Sequence, residues 1–482
     1  MEGMRRRLFA GVAAAGWLLK GCAGSREGTE ARFVRVSPRT ARYFELDDGS
    51  PFVPIGLNIA FPRFEVAEGP VLGHLTAQMR RLAEYGGNFV RIWIGHPFYD
   101  VEHEFSGKYD SVKLRRVDRV IQAARQHNLR LKLTFEHFRT LEERPPRFPG
   151  SVSMGKPLHH VSHGGPARNM TEFFTLPRSR ERFRRKIAWF AERYRDEPAV
   201  MAWELWNEID AVEGERWMEW TGEMLDTVHR EFPRHLAVQS VGSLDVFRKR
   251  YLQGAVWNMA GNDFAQVHRY LDAAADLDVC RGPVDVMAAD AVRTARELSA
   301  GKPVILAESG AVEAGHSGPS KLYERDVEGS ILHDVLFAPF FAGSAGGGQI
   351  WHWDYYVERN DLWRHFGRFA AAVKGLDPPA ERFEPGEIAH QRLRIYTLRG
   401  RTTFLAWCRD KGSDWRTELE QGRPPELLEG VAVDLGRLPG GVPGGVVRLY
   451  DPWEDRWTDG NVERGRLALP AFRRSVVIRA GG

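Results

Sequence analysis

Between residues 51 and 372, short apolar runs rich in β-branched and aromatic residues alternate with longer segments whose apolar positions return every three or four residues. Eight such runs are read, at 51–60, 88–95, 129–137, 200–208, 236–242, 264–270, 303–310 and 346–353. Between them lie amphipathic stretches such as VLGHLTAQMRRLAEYG and KLRRVDRVIQAARQHN. In the second, Leu114, Val117, Val120, Ile121 and Ala124 share one helical face, and Arg and Gln take the other. This alternation predicts parallel strands joined by crossover helices, and eight units predict an α/β fold closed into a (β/α)8 TIM barrel. The rival is an open doubly wound sheet. It is disfavoured because PIGLNIAFPRF has one glycine and no helix start behind it, so no phosphate-binding turn follows the first strand.

Residues 32–50 predict a β-hairpin placed to plug the bottom of the barrel. A Pro-, Gly- and His-rich insertion at 138–176 follows the third strand, where a long loop shapes a cleft. Past residues 374–387 the pattern changes to short alternating runs separated by Gly and Pro turns, which predicts a small antiparallel β-sandwich. Three segments follow: 1–31 as a leader and tether, 32–378 as the barrel, and 379–482 as the C-terminal β-domain.

Composition adds limits. Counts of 68 basic and 64 acidic residues leave a formal charge of +4, and no basic stripe interleaved with aromatics appears, so a nucleic acid partner is not expected. The start MEGMRRRLFAGVAAAGWLLKGCAGS joins a basic end to an apolar segment too short to span a bilayer, the order of an export signal. The expected location is extracellular, periplasmic or at the cell envelope. LLKGC resembles a lipobox, which would lipidate Cys22 and attach the protein to a membrane; Lys20 is unusual there, and free secretion is the alternative. The three cysteines, Cys22, Cys280 and Cys408, are too few and too scattered for a disulfide framework or a clustered metal site.

The candidate chemistry sits at strand ends. In VMAWELWNEID, Asn207 and Glu208 close an otherwise apolar fourth strand, and in PVILAESG, Glu308 closes the seventh. The C-terminal ends of barrel strands form the active face, so these carboxylates should meet across the mouth. Two opposed carboxylates suit glycosidic cleavage: one protonates the departing oxygen, and the other attacks the anomeric carbon or activates water. The charge of Glu308 is expected to keep Glu208 protonated by like-charge repulsion. Glu204, four residues earlier, is expected deep in the barrel beside Arg91 or Lys132. Indoles offer flat apolar platforms to sugar rings, and Trp93, Trp206, Trp257, Trp351 and Trp353 all fall near predicted strand ends.

WELWNE followed by ILAESG, together with DGSPFVPIGLN, NFVRIW, VHRY and GGGQIWHW, resembles glycoside hydrolase clan A, the family 5 cellulases and mannanases, over about residues 40–375. The resemblance implies a retaining glycosidase for a β-linked mannan or glucan, with Glu208 as acid/base and Glu308 as nucleophile and no cofactor. It also implies that Asn207 binds the sugar 2-hydroxyl, that Arg91, His268 and Tyr270 hold Glu308 charged and oriented, and that Trp351 is the sugar platform.

Alternatives stay open for several residues. His137, with Glu136 at the end of strand three, is either a substrate contact or part of a loop-anchoring pair. His159, His160 and His163 have ligand-like spacing but no companion acid or cysteine cluster, which favours a hydrogen-bonding loop over a metal site. Tyr450, Trp453 and Trp457 are expected to pack the β-domain onto the barrel. Two other function classes remain as rivals: a carbohydrate-binding pseudo-glycosidase, and a metal-dependent barrel hydrolase, the latter weakened because strand one ends in LNIA without His-x-His.

Overall fold

The computed structural model describes residues 32–62, 68–141, 157–436 and 446–481. The leader 1–31 with Cys22, and the middle of the 138–176 insertion, lie outside the described residues. From Arg32 onward the chain is one compact unit.

Five parallel strands form a continuous sheet in chain order: Gly56–Asn58, Phe89–Trp93, Arg130–His137, Val200–Asn207 and Leu236–Val238. Strands Ala265–His268 and Val304–Glu308 form a second parallel pair. The predicted eighth strand is not a regular strand. Its segment nevertheless closes the ring: Gln349 N–H donates to Leu306 O at 2.9 Å, Asn58 N–H donates to Ile350 O at 3.2 Å, and Ser309 bridges to Ile350. The fifth and sixth strands are joined by side chains as well as backbone. Asp263 N–H donates to Ala237 O at 2.9 Å, and the Asp263 carboxylate accepts from Ala237 N–H at 2.6 Å.

The helices match their sequence pattern. Ser111–Gln126 buries Leu114, Val117, Val120, Ile121 and Ala124, and Asp110 caps its start by accepting from Val112 N–H at 2.6 Å. The hairpin Val34–Val36 and Phe44–Leu46 sits at the bottom, with Phe44 edge-on to Phe264 at 5.5 Å and Phe33 stacked on His235 at 5.4 Å. Both partners directly precede barrel strands, as a plug requires.

The last hundred residues form a six-stranded antiparallel sheet and a three-stranded one. Side chains alternate across the strand Thr403–Asp410: Leu405 and Trp407 join the barrel's core, while Phe404, Ala406 and Cys408 face Val433 and Leu467 of the smaller sheet. Helix Ser330–Phe341 is buried on every side. An all-round apolar helix fits only where two layers cover it, here the barrel on one side and the C-terminal sheet on the other. Trp453 packs against this junction, 4.7 Å from His333 and 5.4 Å from His365. Cys280 and Cys408 are buried free thiols.

Buried ion pairs bind the two layers. Arg409 donates twice to Asp334, at 2.8 and 3.2 Å, with both side chains buried. Removing one member of such a pair strands the other charge away from water. Arg409→Met should therefore lower the unfolding free energy by about 3–5 kcal/mol, read by denaturant titration. The double variant Arg409→Met/Asp334→Leu should recover most of that loss, and an unchanged single variant would refute the assignment.

Candidate active site

Residues 200–207 are all buried, and the chain then turns sharply: Glu208 takes a left-handed conformation, φ 49° and ψ 57°. A non-glycine residue adopts this region at a cost, so neighbours must hold it there. Glu208 N–H donates to Ser240 Oγ at 2.9 Å, and Ser240 Oγ–H in turn donates to Trp206 O at 3.2 Å. This turn aims the carboxyl across the barrel mouth. On the other side, a register shift between Leu306 and Glu308 sets Glu308 opposite His268.

Arg91 is the centre of the interior. Fully buried, it donates to Glu204 at 2.7 Å, to Asn207 Oδ1 at 2.7 Å, to Asn58 Oδ1 at 3.3 Å and to Glu308 Oε1. Glu204 lies deep in the barrel as expected, accepting also from Thr134 at 2.6 Å and from Gln266 at 2.7 Å. Burial alone would raise its pKa, but Arg91 and Lys132 outweigh that and hold the carboxyl well below the usual range. Because Arg91 takes Asn207 Oδ1, the Asn207 amide N–H groups remain as donors at the cleft.

Glu308 Oε2 accepts from the Tyr270 hydroxyl at 2.8 Å, so both its oxygens are oriented by donors. His268 touches both carboxylates. Its Nδ1 lies 2.8 Å from Glu208 Oε1 and 3.5 Å from Glu308 Oε2, so its closer contact is Glu208. Burial pushes this imidazole down to about 4, leaving it neutral near pH 7.

The carboxyl of Glu208 is raised from its ordinary value, first by burial and then by the charge of Asp210; His316, Lys249 and Arg91 oppose the shift. Like-charge repulsion from Glu308, expected from the sequence, is not among the largest contributions; burial and Asp210 are. Asp210, two residues along the chain, is the carboxylate whose charge adds most to the shift, while Arg91, which opposes it, also contacts Glu308 directly. Ligand atoms of Glu208, His268 and Glu308 all lie within 4.8 Å of one another. That spacing could also suit a metal, but the Arg91 guanidinium against Glu308 already supplies positive charge there.

A cleft of about 890 Å³ opens over these groups, and Phe61, Trp93, Trp351, Trp353, Tyr270 and His316 are among the residues that line it. Trp351 is half-buried, 4.9 Å from Trp93 and perpendicular to Trp353 at 5.4 Å. Trp93 lines the cleft while nearly buried, with the Arg91 guanidinium 5.6 Å from its ring.

Three predicted contacts lie elsewhere. His137 is 2% exposed, its ring 4.7 Å from that of Trp93, and it does not line the cleft. Glu136 beside it is a loop anchor, accepting from Lys186 at 2.7 Å and Arg139 at 2.6 Å. Trp206 and Trp257 belong to the core rather than the cleft. Trp206 packs among Phe173, Phe174 and Trp220, and Trp257 donates to Gln266 O at 3.1 Å. Of the histidine run, His159 bonds Ser106 at 2.8 Å and His160 bonds Ser162 at 2.6 Å, and they join no metal-ligating group among the described residues. Phe61, Ser240 and His316 were not singled out from sequence; only the glycine-flanked AGHSG just after strand seven could have pointed to His316.

Residues 55–329, more than half of the chain, match the model of the cellulase family, glycosyl hydrolase family 5. The chain belongs to that family. It is a glycoside hydrolase. Mannan endo-1,4-beta-mannosidase 3 of Arabidopsis thaliana is 22% identical over 341 residues, covering 63% of this chain and 78% of the relative. The crystal structure of a glycoside hydrolase family 5 from Bacteroides vulgatus ATCC 8482 superposes with a TM-score of 0.56 at 14% identity, covering 93% of each chain. The endo-beta-1,4-mannanase from Thermotoga petrophila superposes with a TM-score of 0.50 at 14% identity, covering 89% of this chain and 98% of its own. At such identities these structures establish the family 5 barrel fold.

Proposed function

We propose that this family 5 enzyme hydrolyses a β-linked mannan-type polysaccharide with retention of configuration. The observation that carries the retaining half is the spacing of Glu208 and Glu308. Oxygens within 4.8 Å fit the roughly 5–5.5 Å between carboxyl groups of retaining enzymes and leave no room for the water that inverting enzymes place between theirs. The mannan half is supported by the relatives' names.

In the first step Glu308 attacks the anomeric carbon while Glu208 gives its proton to the departing glycosidic oxygen, and the carbon–oxygen bond to the leaving sugar breaks. In the second, Glu208 takes a proton from water, whose oxygen attacks the same carbon and releases Glu308. His268, neutral and bonded to Glu208, holds that carboxyl in place through both steps. Asn207 offers its amide to the 2-hydroxyl, and Trp351 supports the sugar ring.

The basic-then-apolar start supports reading 1–31 as an export leader and tether, and LLKGC supports lipidation of Cys22 with free secretion as the alternative; mass spectrometry of the mature N-terminus separates the two. The apolar layer between the two C-terminal sheets supports reading 379–482 as a β-sandwich domain.

The deciding experiment digests mannan, glucomannan, cellulose and mixed-linkage β-glucan, with Glu308→Gln as the blank, and follows the first-formed anomer by NMR. Mannan-derived oligosaccharides released first as the β-anomer are expected. Preference for cellulose would overturn the substrate assignment, and an α-anomer would overturn the double displacement.

A further inference from the structure

We propose that a recess in the seam between the barrel's last helix and the C-terminal sheet is a second carbohydrate site, one that takes the carboxylate of a uronic sugar between Arg448 and Arg479. Family membership is used only to choose a sugar as the carrier of the anion. The recess shares no residue with the catalytic cleft.

Its volume is about 330 Å³, and it is lined by Ala371 and Lys374 at the end of helix Arg364–Val373 and by Val446, Arg448, Trp457 and Arg479 of the sheet. Three of these are cations and no acid lines the recess. Strands Val447–Asp451 and Ser475–Gly481 pair antiparallel in a register that sets Arg448 directly opposite Arg479. Side chains opposed in this way share one face, and like charges there repel. That face is turned to the barrel, because the alternate positions Val447, Leu449, Ile478 and Ala480 fill the layer between the two sheets.

Elsewhere along this seam the cations are matched, Arg409 by Asp334 and Arg394 by Asp285. Among the described residues, Lys374, Arg448 and Arg479 form no ion pair. Asp459 stands across from Arg448 on the other neighbouring strand without pairing to it. Glu381 is engaged by Thr402 and Thr403, at 2.9 Å to Thr402 N–H and 2.9 Å to the Thr403 hydroxyl. Burial and the Arg448 charge therefore push the Arg479 guanidinium down from its ordinary value, with Glu381 opposing only in part. Residues 437–445, which lead into Val446, contain no Asp or Glu. An oxyanion brought from outside relieves this repulsion.

Both guanidiniums are held ready for it. Arg448 lies over the Trp457 ring, 4.9 Å from its centre, and Trp457 is stacked on Tyr450 at 4.8 Å. Arg479 donates to Lys374 O at 2.7 Å and keeps further N–H groups to donate. Two positioned forks suit a planar carboxylate. Size chooses its carrier. The volume stands at the small end of ligand pockets, more than a bare inorganic anion fills, and Ala371, Val446 and Trp457 supply apolar surface for the C–H face of one sugar ring.

The test titrates the full-length protein with sodium glucuronate, glucose and inorganic phosphate by ligand-observed NMR, and adds vesicles with and without phosphatidylglycerol. Glucuronate is expected to bind about tenfold or more tightly than glucose or phosphate, and more weakly as salt is added. Arg448→Gln and Arg479→Gln should each weaken it about tenfold, with kcat/KM on a neutral oligosaccharide within about twofold of the parent. Lys374→Gln, at an exposed side chain with no ion pair to lose, should weaken it about threefold and keeps the test standing if an arginine variant does not fold. Phosphate or phosphatidylglycerol vesicles bound in preference to glucuronate would overturn the sugar assignment. Glucose bound equally well, or glucuronate binding indifferent to all three substitutions, would overturn the site. Binding is read without turnover, so failure of the mannan reading shows separately, in the glycan that the parent cleaves.

Discussion

Glu308→Gln should reduce kcat by about 10⁵-fold or more on every substrate, because it removes the group that forms the covalent bond rather than one that assists it. The substitution keeps the side-chain volume and one acceptor oxygen, enough for Arg91 or Tyr270 but not both, while Glu204 still pairs the Arg91 charge; the fold should persist with a lowered thermal midpoint. Glu308→Ala should behave likewise at the chemical step but leave a gap beside Arg91. A small anion such as azide or formate can enter that gap and attack in its place, giving partial rescue with an α-configured product. Rapid hydrolysis by purified Glu308→Gln, with contamination excluded by mass spectrometry, would remove the nucleophile assignment and with it the mechanism.

Glu208→Ala should show a loss that depends on the leaving group. A departing sugar needs a proton, and general acid assistance contributes about 10²–10⁴-fold, so polysaccharide hydrolysis should fall by that order. An aryl glycoside with a good leaving group should still form the glycosyl-enzyme and then stall, because no base activates water. Pre-steady-state kinetics would show a burst, and azide should speed turnover and give a β-configured product. The pH profile carries a second signature. In the parent, kcat/KM on polysaccharide should fall on the alkaline side with an apparent pKa above that of an ordinary glutamate, since burial and Asp210 both raise Glu208. The acid form is the active one, so lowering its pKa moves this limb toward lower pH. Asp210→Asn removes a charge that raises it and should produce that shift, while Glu208→Ala should abolish the limb. An alkaline limb unchanged in both variants would assign the acid to another residue.

The part of this site legible in sequence was the part written within single strands. WELWNE puts an amide and a carboxyl at the end of an apolar run, and a barrel strand can use such residues only at its open end. His137 looked the same on that logic, as did Trp206. Strand ends alone do not say whether a side chain meets the cleft or the layer beneath it; Trp93 covers His137, and Phe173 and Trp220 enclose Trp206. The eighth strand was read from GGGQIWHW and closes the barrel, yet bonds too irregularly to form a ladder.

What the sequence determined by itself was local: the alternation of apolar runs and amphipathic helices that builds a barrel, the change of pattern near residue 380, and the order Asn207, Glu208, Glu308. What only the tertiary structure decided was partnership. Arg91 meets Glu204, Asn207 and Glu308, more than one hundred positions away in each case, and Asp210 adds to the raised affinity of Glu208 for its proton. Helix Ser330–Phe341 is apolar on all sides because a second sheet covers it. Periodicity records whether a position is buried. Which charge lies beside it depends on how the ring closes, and electrostatic fields fall off with distance in space, not along the chain.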